Sequence, residues 1–398
     1  MRRFGWTTVG ILLVAAGPAW AQTPQTAAPA EAPASVTLPV PVMSGPLALS
    51  PVPPAVDVGP LGTWYIDGVA SGVGLVQSNA GPGDRSALAD VSNGQVFIQK
   101  TDGLVRVYVQ AGAYALPALG TSYTHQTDTT DTWNKLFGPV PQAFVKLAPN
   151  DAFSIQVGKL PTLIGAEGTF TFQNVNIERG LLWNQEPAVS RGVQANYTVD
   201  PLGFSLSLND GFYSGHYTWL SGSASWNVNA ANVLVFAAGG NLGTTSANTF
   251  ATPLAQNNGS IYNLIYTYTQ GPLMLTPYLQ YARVAAHPAV GIFQRGASYG
   301  AAVLGSYALS KTVTLGARVE YETTSAGPAQ PVPTNLLYGP GSSAASLTLT
   351  PTWTLNHWFV RADAAAVVID HPTPHDGFGR TGTADTQFRG LLEAGYIF

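Results

Sequence analysis

The sequence predicts an all-β chain, a transmembrane antiparallel up-and-down β-barrel of about 16 strands. Three observations carry that expectation. Charged residues make up only 10% of the 398 residues, against about 25% in ordinary soluble domains, yet 43 Gly and 30 Pro exclude a continuous apolar interior. A wall with one lipid face and one wet face reconciles the two. Second, strand-length stretches alternate in side-chain character with a period of two. Third, short and long connections alternate along the chain, as they do when turns gather at one rim of a barrel and loops at the other. A soluble sandwich would also alternate within strands, but it has no reason to segregate its connections by length.

The chain begins with the layout of a secretory signal over residues 1–21. Arg2 and Arg3 form a positive start, Thr7 to Ala16 a short apolar core, and Ala19-Trp20-Ala21 a small-x-small cleavage site. The apolar core is too short to span a bilayer as a mature helix. The arginine pair lacks the flanking residues of a twin-arginine signal, and a barrel precursor must cross the inner membrane unfolded, so the general secretory route is expected. Residues 22–60 are rich in Pro, Ala and Val. Proline holds a chain extended and cannot donate to a ladder, so this stretch reads as a flexible periplasmic segment, with the barrel occupying 61–398.

Strands are expected over about 64–77, 94–100, 103–114, 139–148, 151–160, 188–199, 203–210, 218–228, 232–242, 260–270, 273–283, 297–309, 312–323, 344–355, 358–369 and 387–398. The turns between hairpin partners are short, such as Thr101-Asp102-Gly103, Gly271-Pro272 and Asn356-His357. Longer connections fall at 78–93, 115–138, 161–187, 211–217, 243–259, 284–296, 324–343 and 370–386. Alternation is clean over 104–111, where Val105, Val107, Val109 and Ala111 oppose Leu104, Arg106, Tyr108 and Gln110. Pro277 inside a strand suggests a bulge. Aromatics such as Trp226, Tyr307, Trp353 and Trp358 lie near strand ends, where membrane interfaces favour them.

The last stretch, QFRGLLEAGYIF, has an apolar parity carrying Leu392, Tyr396 and Phe398 and an opposite parity carrying Arg389 and Glu393. It resembles the closing strand of Gram-negative outer-membrane barrels, which end in Phe after alternating apolar positions. The resemblance implies that Leu392, Tyr396 and Phe398 face lipid and offer the signal read by the barrel-assembly machinery. Arg389 and Glu393 are then expected to face the lumen, with the strand pairing onto the one that begins near Trp64.

The same parity argument selects an inward charge set: Asp67, Arg106, Lys146, Arg318, Glu320, Arg361, Asp363, Arg389 and Glu393. Arg or Lys facing lipid near the midplane costs about 2–4 kcal/mol, so these side chains point inward. There they line the pore and hold water, or form ion pairs that stiffen the wall; Arg318 with Glu320 and Arg361 with Asp363 are spaced to pair. The long connection 161–187 is a candidate constriction loop, because connections of this length are often functional. Glu167, Glu178, Arg179, Glu186 and Arg191 are its candidate eyelet charges, or alternatively pin it to the wall.

The segment 154–199 joins one strand, this loop and the next strand. Gly158-Lys159, Gly165-x-Glu167, Asn174 and Asn176, Glu178-Arg179, Pro187, Gly192 and Tyr197 form a run that resembles the OmpL-like β-barrel porin-2 family. Asn209-Asp210-Gly211-Phe212 is similar to the Asn-Gly-aromatic step that follows in that family, with Asp210 interposed. The resemblance implies an outer-membrane porin.

Other chemistries find little purchase. Cysteine is absent, which excludes thiolate metal sites, Cys nucleophiles and a lipidated Cys. No metal and no cofactor is expected. Ser214-x-His216 has no partner acid and no nucleophile-elbow motif, so no enzyme is expected. His371, His375 and Asp376 sit among prolines in HPTPHD and read as a polar loop. A net charge of −4 suggests no nucleic-acid partner. The expected partners are outer-membrane lipid, the assembly machinery and small hydrophilic solutes, with a homo-oligomer compatible with the reading. The competing function is a structural or adhesive barrel with a closed lumen and ligand-binding external loops.

Overall fold

The chain is described from a computed structural model covering residues 35–123, 128–325 and 336–398. The expected signal over 1–21 and the Pro/Ala-rich residues up to 34 lie outside the described residues.

Sixteen strands close into a barrel. In chain order they are Thr63–Gln77 (β2), Ala87–Lys100 (β3), Val105–Tyr114 (β4), Gln142–Leu147 (β5), Phe153–Pro161 (β6), Val189–Val199 (β7), Leu202–Asn209 (β8) and Trp219–Asn229 (β9). Asn232–Asn241 (β10), Gly259–Gln270 (β11), Leu273–Val284 (β12), Gly296–Ala308 (β13), Val313–Thr324 (β14), Ser343–Leu355 (β15), Trp358–Asp370 (β16) and Thr386–Ile397 (β17) complete it. A further short strand, Ala55–Asp57 (β1), pairs with the first residues of β2. Each barrel strand pairs antiparallel with its sequence neighbours, and β17 closes onto β2 with Glu393 opposite Val73 and Tyr396 opposite Ala70. Closure leaves no edge, so backbone groups inside the hydrocarbon find partners.

Period-two alternation becomes an inside and an outside. On β12, Leu279 is exposed while Tyr278 and Gln280 are buried; on β13, Val303 is exposed while Ala302 and Leu304 are buried. Trp226, Tyr307, Trp353 and Trp358 are likewise exposed on the outer surface. At the closing strand, Leu392 is exposed, Tyr396 meets Trp358 edge to face, and the Phe398 ring lies against Gly68.

Two strand expectations differ from the structure. Strand β3 begins at Ala87, seven residues before the expected 94, and shifts register where Ser71 and Gly72 face it. Its first half, ALADVSN, carries Asp90, Ser92 and Asn93, whose polarity reads as loop. They are polar because they meet other polar groups inside the barrel: Ser92 is within 2.8 Å of Ser71, and Asn93 donates to Thr171. Pro277 makes no bulge. It pairs with Val303 on one side and interrupts the ladder to β11 on the other without shifting its register. The missing N–H removes one ladder bond, which the flanking pairs tolerate.

The stretch 22–60, expected to be a flexible segment, is ordered over its second half. Residues 36–54 fold back into the barrel at the short-turn rim, pinched at their base by a bond from Val36 N to Pro51 O. Leu47 is buried, and Val40, Met43 and Leu49 pack on the cluster formed by Val69, Phe97, Phe172, Phe359 and Ile397. Of these, Val69, Phe97, Phe359 and Ile397 hold inward wall positions near the short-turn rim, where a wet lumen calls for polar side chains, and Phe172 belongs to the connection between β6 and β7. Covering large apolar groups of this kind is worth about 1.5–3 kcal/mol each.

Candidate constriction site

Residues 162–188, between β6 and β7, fold inward and are locked to the opposite wall by buried charges. The lock is built in steps along the loop. Arg361 on β16 donates to the Thr171 and Asn174 carbonyls, each at 3.0 Å, and pairs with Glu393 on β17 at 3.1 Å. Thr171 Oγ1 in turn donates to Glu393 at 2.9 Å. Asp363, two residues along the same face of β16, accepts the Ile177 and Glu178 backbone N–H groups, both at 3.0 Å, and the Thr350 hydroxyl. Arg389 on β17 reaches Glu178 at 2.8 Å.

The loop then crosses to β14. Arg318 pairs with Glu167 at 2.7 Å and with Glu320 at 3.1 Å, and donates to the Glu178 carbonyl. Glu320 accepts the N–H groups of Leu181 and Leu182, and Glu167 accepts that of Gly180. Gly180 itself is required by close approach: a Cβ there would stand 2.1 Å from Glu320 Oε1. Each charge of this lock is therefore paired or meets several hydrogen bonds, the condition under which burial is tolerated.

The inward charge set thus keeps its expected direction but divides in two. Arg318, Glu320, Arg361, Asp363, Arg389 and Glu393 are buried under the loop and clamp it rather than meeting lumen water. Asp67 is also fully buried, at the short-turn rim. Only Arg106 and Lys146 stay half-exposed, directly opposite each other on β4 and β5. The expected Arg318–Glu320 pair is present. Arg361 pairs with Glu393 instead of Asp363, because Asp363 is engaged by loop N–H groups. Partners 32 residues apart on neighbouring strands cannot be read from spacing on one strand.

Among the loop charges, Glu167 pairs with Arg318 and Glu178 with Arg389. Arg179 is buried, donates to the Thr169 carbonyl and lies over the Trp183 ring at 4.6 Å. Glu186 is buried against Gly165. Arg191 is not on the loop. It belongs to β7, on the parity of exposed Val193 and Tyr197, and pairs with Asp210 at 2.7 Å under the Tyr213 ring. The interposed Asp210 thereby finds its role, accepting from both the backbone N and Nε of Arg191.

Gln173, Thr171 and Thr350, which the sequence did not single out, act through amides and hydroxyls together with Asn174 and Asn176 of the family-like run. Gln173 and Asn174 fold the loop's lowest turn, with Asn174 bonding Gly168 and Phe170. Asn176 donates to Thr350. Above the loop, on the long-loop side, a cavity of about 670 Å³ is lined by Phe137, Trp183, Gln185, Glu186, Phe212 and Tyr338 among others. In the loop 115–141 that also borders it, burial pushes the Tyr123 phenol up, and the Asp90 carboxylate it donates to adds to the shift.

The other histidine and serine candidates make local contacts. Ser214 donates to the Asp210 carbonyl, His371 touches Asp370, and His375 meets the Thr381 carbonyl. Among the described residues, no His, Asp and Glu are grouped so as to hold a metal ion.

A closed antiparallel 16-strand barrel with an apolar belt and a long loop clamped in its lumen defines an outer-membrane barrel of the porin class. Residues 65–398 match the family model described as "Putative beta-barrel porin-2, OmpL-like", and the chain belongs to that family. No curated protein matches the sequence. Among solved structures, the chain is similar in fold to in-vitro folded OmpT, an outer membrane protein of Vibrio cholerae, with TM-score 0.55 and 12% identity over 85% of this chain and 98% of that one. The outer membrane channel DcaP of Acinetobacter baumannii gives TM-score 0.55 and 10% identity over 84% and 97%. The Salmonella typhi OmpF complex with daunomycin gives TM-score 0.55 and 11% identity over 84% and 98%.

Proposed function

We propose that this protein is an outer-membrane diffusion channel. It passes small hydrophilic solutes or ions through a water-filled lumen, sieving them by width and by inward polar groups, with no turnover chemistry. The observation that carries this reading is the loop 162–188, which enters a closed barrel and is held there by the paired charges of three wall arginines instead of lying over the rim. Sixteen strands enclose more space than wall side chains fill, and a clamped loop narrows that space to a defined width. Half-exposed hydroxyls at inward positions of β9 and β13, such as Ser223, Ser225 and Ser306, supply the wet surface beside it.

Export by a signal cleaved after Ala21 and insertion by the barrel-assembly machinery complete the reading. So does assembly into homo-oligomers, for which two observations speak. A trimer form is recorded for the Vibrio cholerae OmpT neighbour. A band of small residues, Ala362, Ala364, Gly390, Ala394, Ala70 and Gly72, lies on the outward parity of β16, β17 and β2, where a second copy could approach closely. Purified protein in a planar bilayer tests the channel directly. Discrete conductance steps are expected; persistent silence of folded protein would instead favour a closed barrel whose external loops bind a partner.

A further inference from the structure

We propose that residues 36–54 are a strap that sets the exclusion limit of the short-turn half of the lumen. The proposal rests on the diffusion-channel reading and adds a second determinant of size, separate from the clamped loop.

The strap is seated by specific contacts rather than by loose collapse. The Gln173 carbonyl, at the lowest turn of the clamped loop, accepts from Ser44 N at 2.8 Å, Gly45 N at 3.0 Å and Ser44 Oγ at 3.0 Å. The Gln173 side chain donates back to the Val42 carbonyl at 2.9 Å, and Gln99 on β3 donates to the Val40 carbonyl at 2.7 Å. Gly45 approaches so closely that a Cβ would stand 2.1 Å from the Asn174 oxygen. The clamped loop thus provides a fixed seat, and the strap's tip fits it only with glycine.

Composition says what the strap does there. Residues 36–54 carry no charge. They cover inward apolar side chains of β2, β3, β16 and β17, namely Val69, Phe97, Phe359 and Ile397. Those residues make a poor pore lining and a good docking surface. The strap's other side, Val42 and Val52 included, remains exposed. Nineteen residues therefore occupy lumen that would otherwise hold water on one side of the barrel, and solutes are left the side lined by β8 to β14.

Two variants and the parent protein decide the matter in planar bilayers, with folding checked by heat-modifiable electrophoretic mobility. One variant deletes residues 36–50 and keeps β1. The other, Gly45→Leu, keeps chain length but drives the tip off its seat. In both, single-channel conductance is expected to rise roughly twofold as freed lumen fills with water, and neutral polyethylene glycols too large to enter the parent channel should now enter. A silent parent with a conducting deletion variant also supports the strap, as a complete plug. Folded variants with unchanged conductance and unchanged polymer cut-off would overturn the proposal while leaving the channel reading intact. Silence of the folded parent and both variants would reject the channel reading itself. Failure of both variants to fold would make the strap a folding element and not a filter, which also overturns it.

Discussion

At the residue scale, the decisive groups are three arginines that face inward from the wall. Arg318, Arg361 and Arg389 are each buried, and each binds both a carboxylate and loop carbonyls or a second wall group. Removing one partner of such a set leaves an uncompensated buried charge, which costs about 3–5 kcal/mol. Arg318→Ala strands both Glu167 and Glu320 and is expected to lower the unfolding temperature measured by heat-modifiable mobility. Released from β14, the loop should also add open-channel current noise. Arg318→Ala with Glu167→Gln and Glu320→Gln should recover part of that stability, since the stranded charges are then neutral. Recovery of nothing would mean that the arginine acts by packing alone. Gly180→Val tests the same clamp from the loop side. Its Cβ would fall on Glu320, so a loss comparable to that of Arg318→Ala is expected, whereas an unperturbed melting curve would show that the loop sits elsewhere.

At the element scale, strand parity makes a prediction that the exterior and interior of one strand can answer together. Val303 on β13 is exposed to lipid, and Ser306 on the same strand is half-exposed on inward parity. Val303→Arg should cost about 2–4 kcal/mol in a lipid bilayer, and Ser306→Arg much less. Equal costs by reversible denaturation in lipid vesicles would reject the assigned faces. The closing strand adds a kinetic counterpart. Tyr396 and Phe398 lie on the outer face beside Trp358 and Gly68, so Phe398→Ala should reduce the amount of barrel assembled in cells more than it reduces the stability of the barrel once formed. Pulse-labelled assembly against melting of the purified protein separates the two effects. These elements were legible in the sequence because strand geometry forces a period of two and lipid tolerates no mixed face. The first half of β3 was not, because Asp90, Ser92 and Asn93 look like loop until Ser71, Thr171 and the long loops are brought beside them.

At the scale of the whole molecule, the lumen is divided. The clamped loop crosses it, the strap fills one side below the loop, and a cavity opens above it toward the long loops. Six of the inward wall charges are paired or hydrogen-bonded under the loop, whereas Arg106 and Lys146 stand as a half-exposed pair of like charge near the short-turn rim. Replacing both with Gln should shift the reversal potential in a salt gradient toward cations, since inward charges set ion preference. Replacing buried Arg389 together with its partner Glu178 by Gln should shift it far less. A reversed order of these two effects would place the selectivity-setting charges under the loop after all.

The sequence by itself determined the barrel: about 16 strands and the alternation of turns and loops. Those properties follow from local geometry, in which side chains alternate and lipid penalises any charge that faces it. It also marked the loop 162–188 through the run from Gly158 to Tyr197. Only the tertiary structure decided which charges meet. Arg361 chose Glu393 across a strand pair over Asp363 on its own strand, and Arg191 left the loop for Asp210. It alone turned a proline-rich stretch that reads as a linker into a seated strap. The cause is that Leu47, Gly45 and Val40 have no local partner: what fixes them is an apolar patch and two glutamine amides supplied by strands and a loop far along the chain.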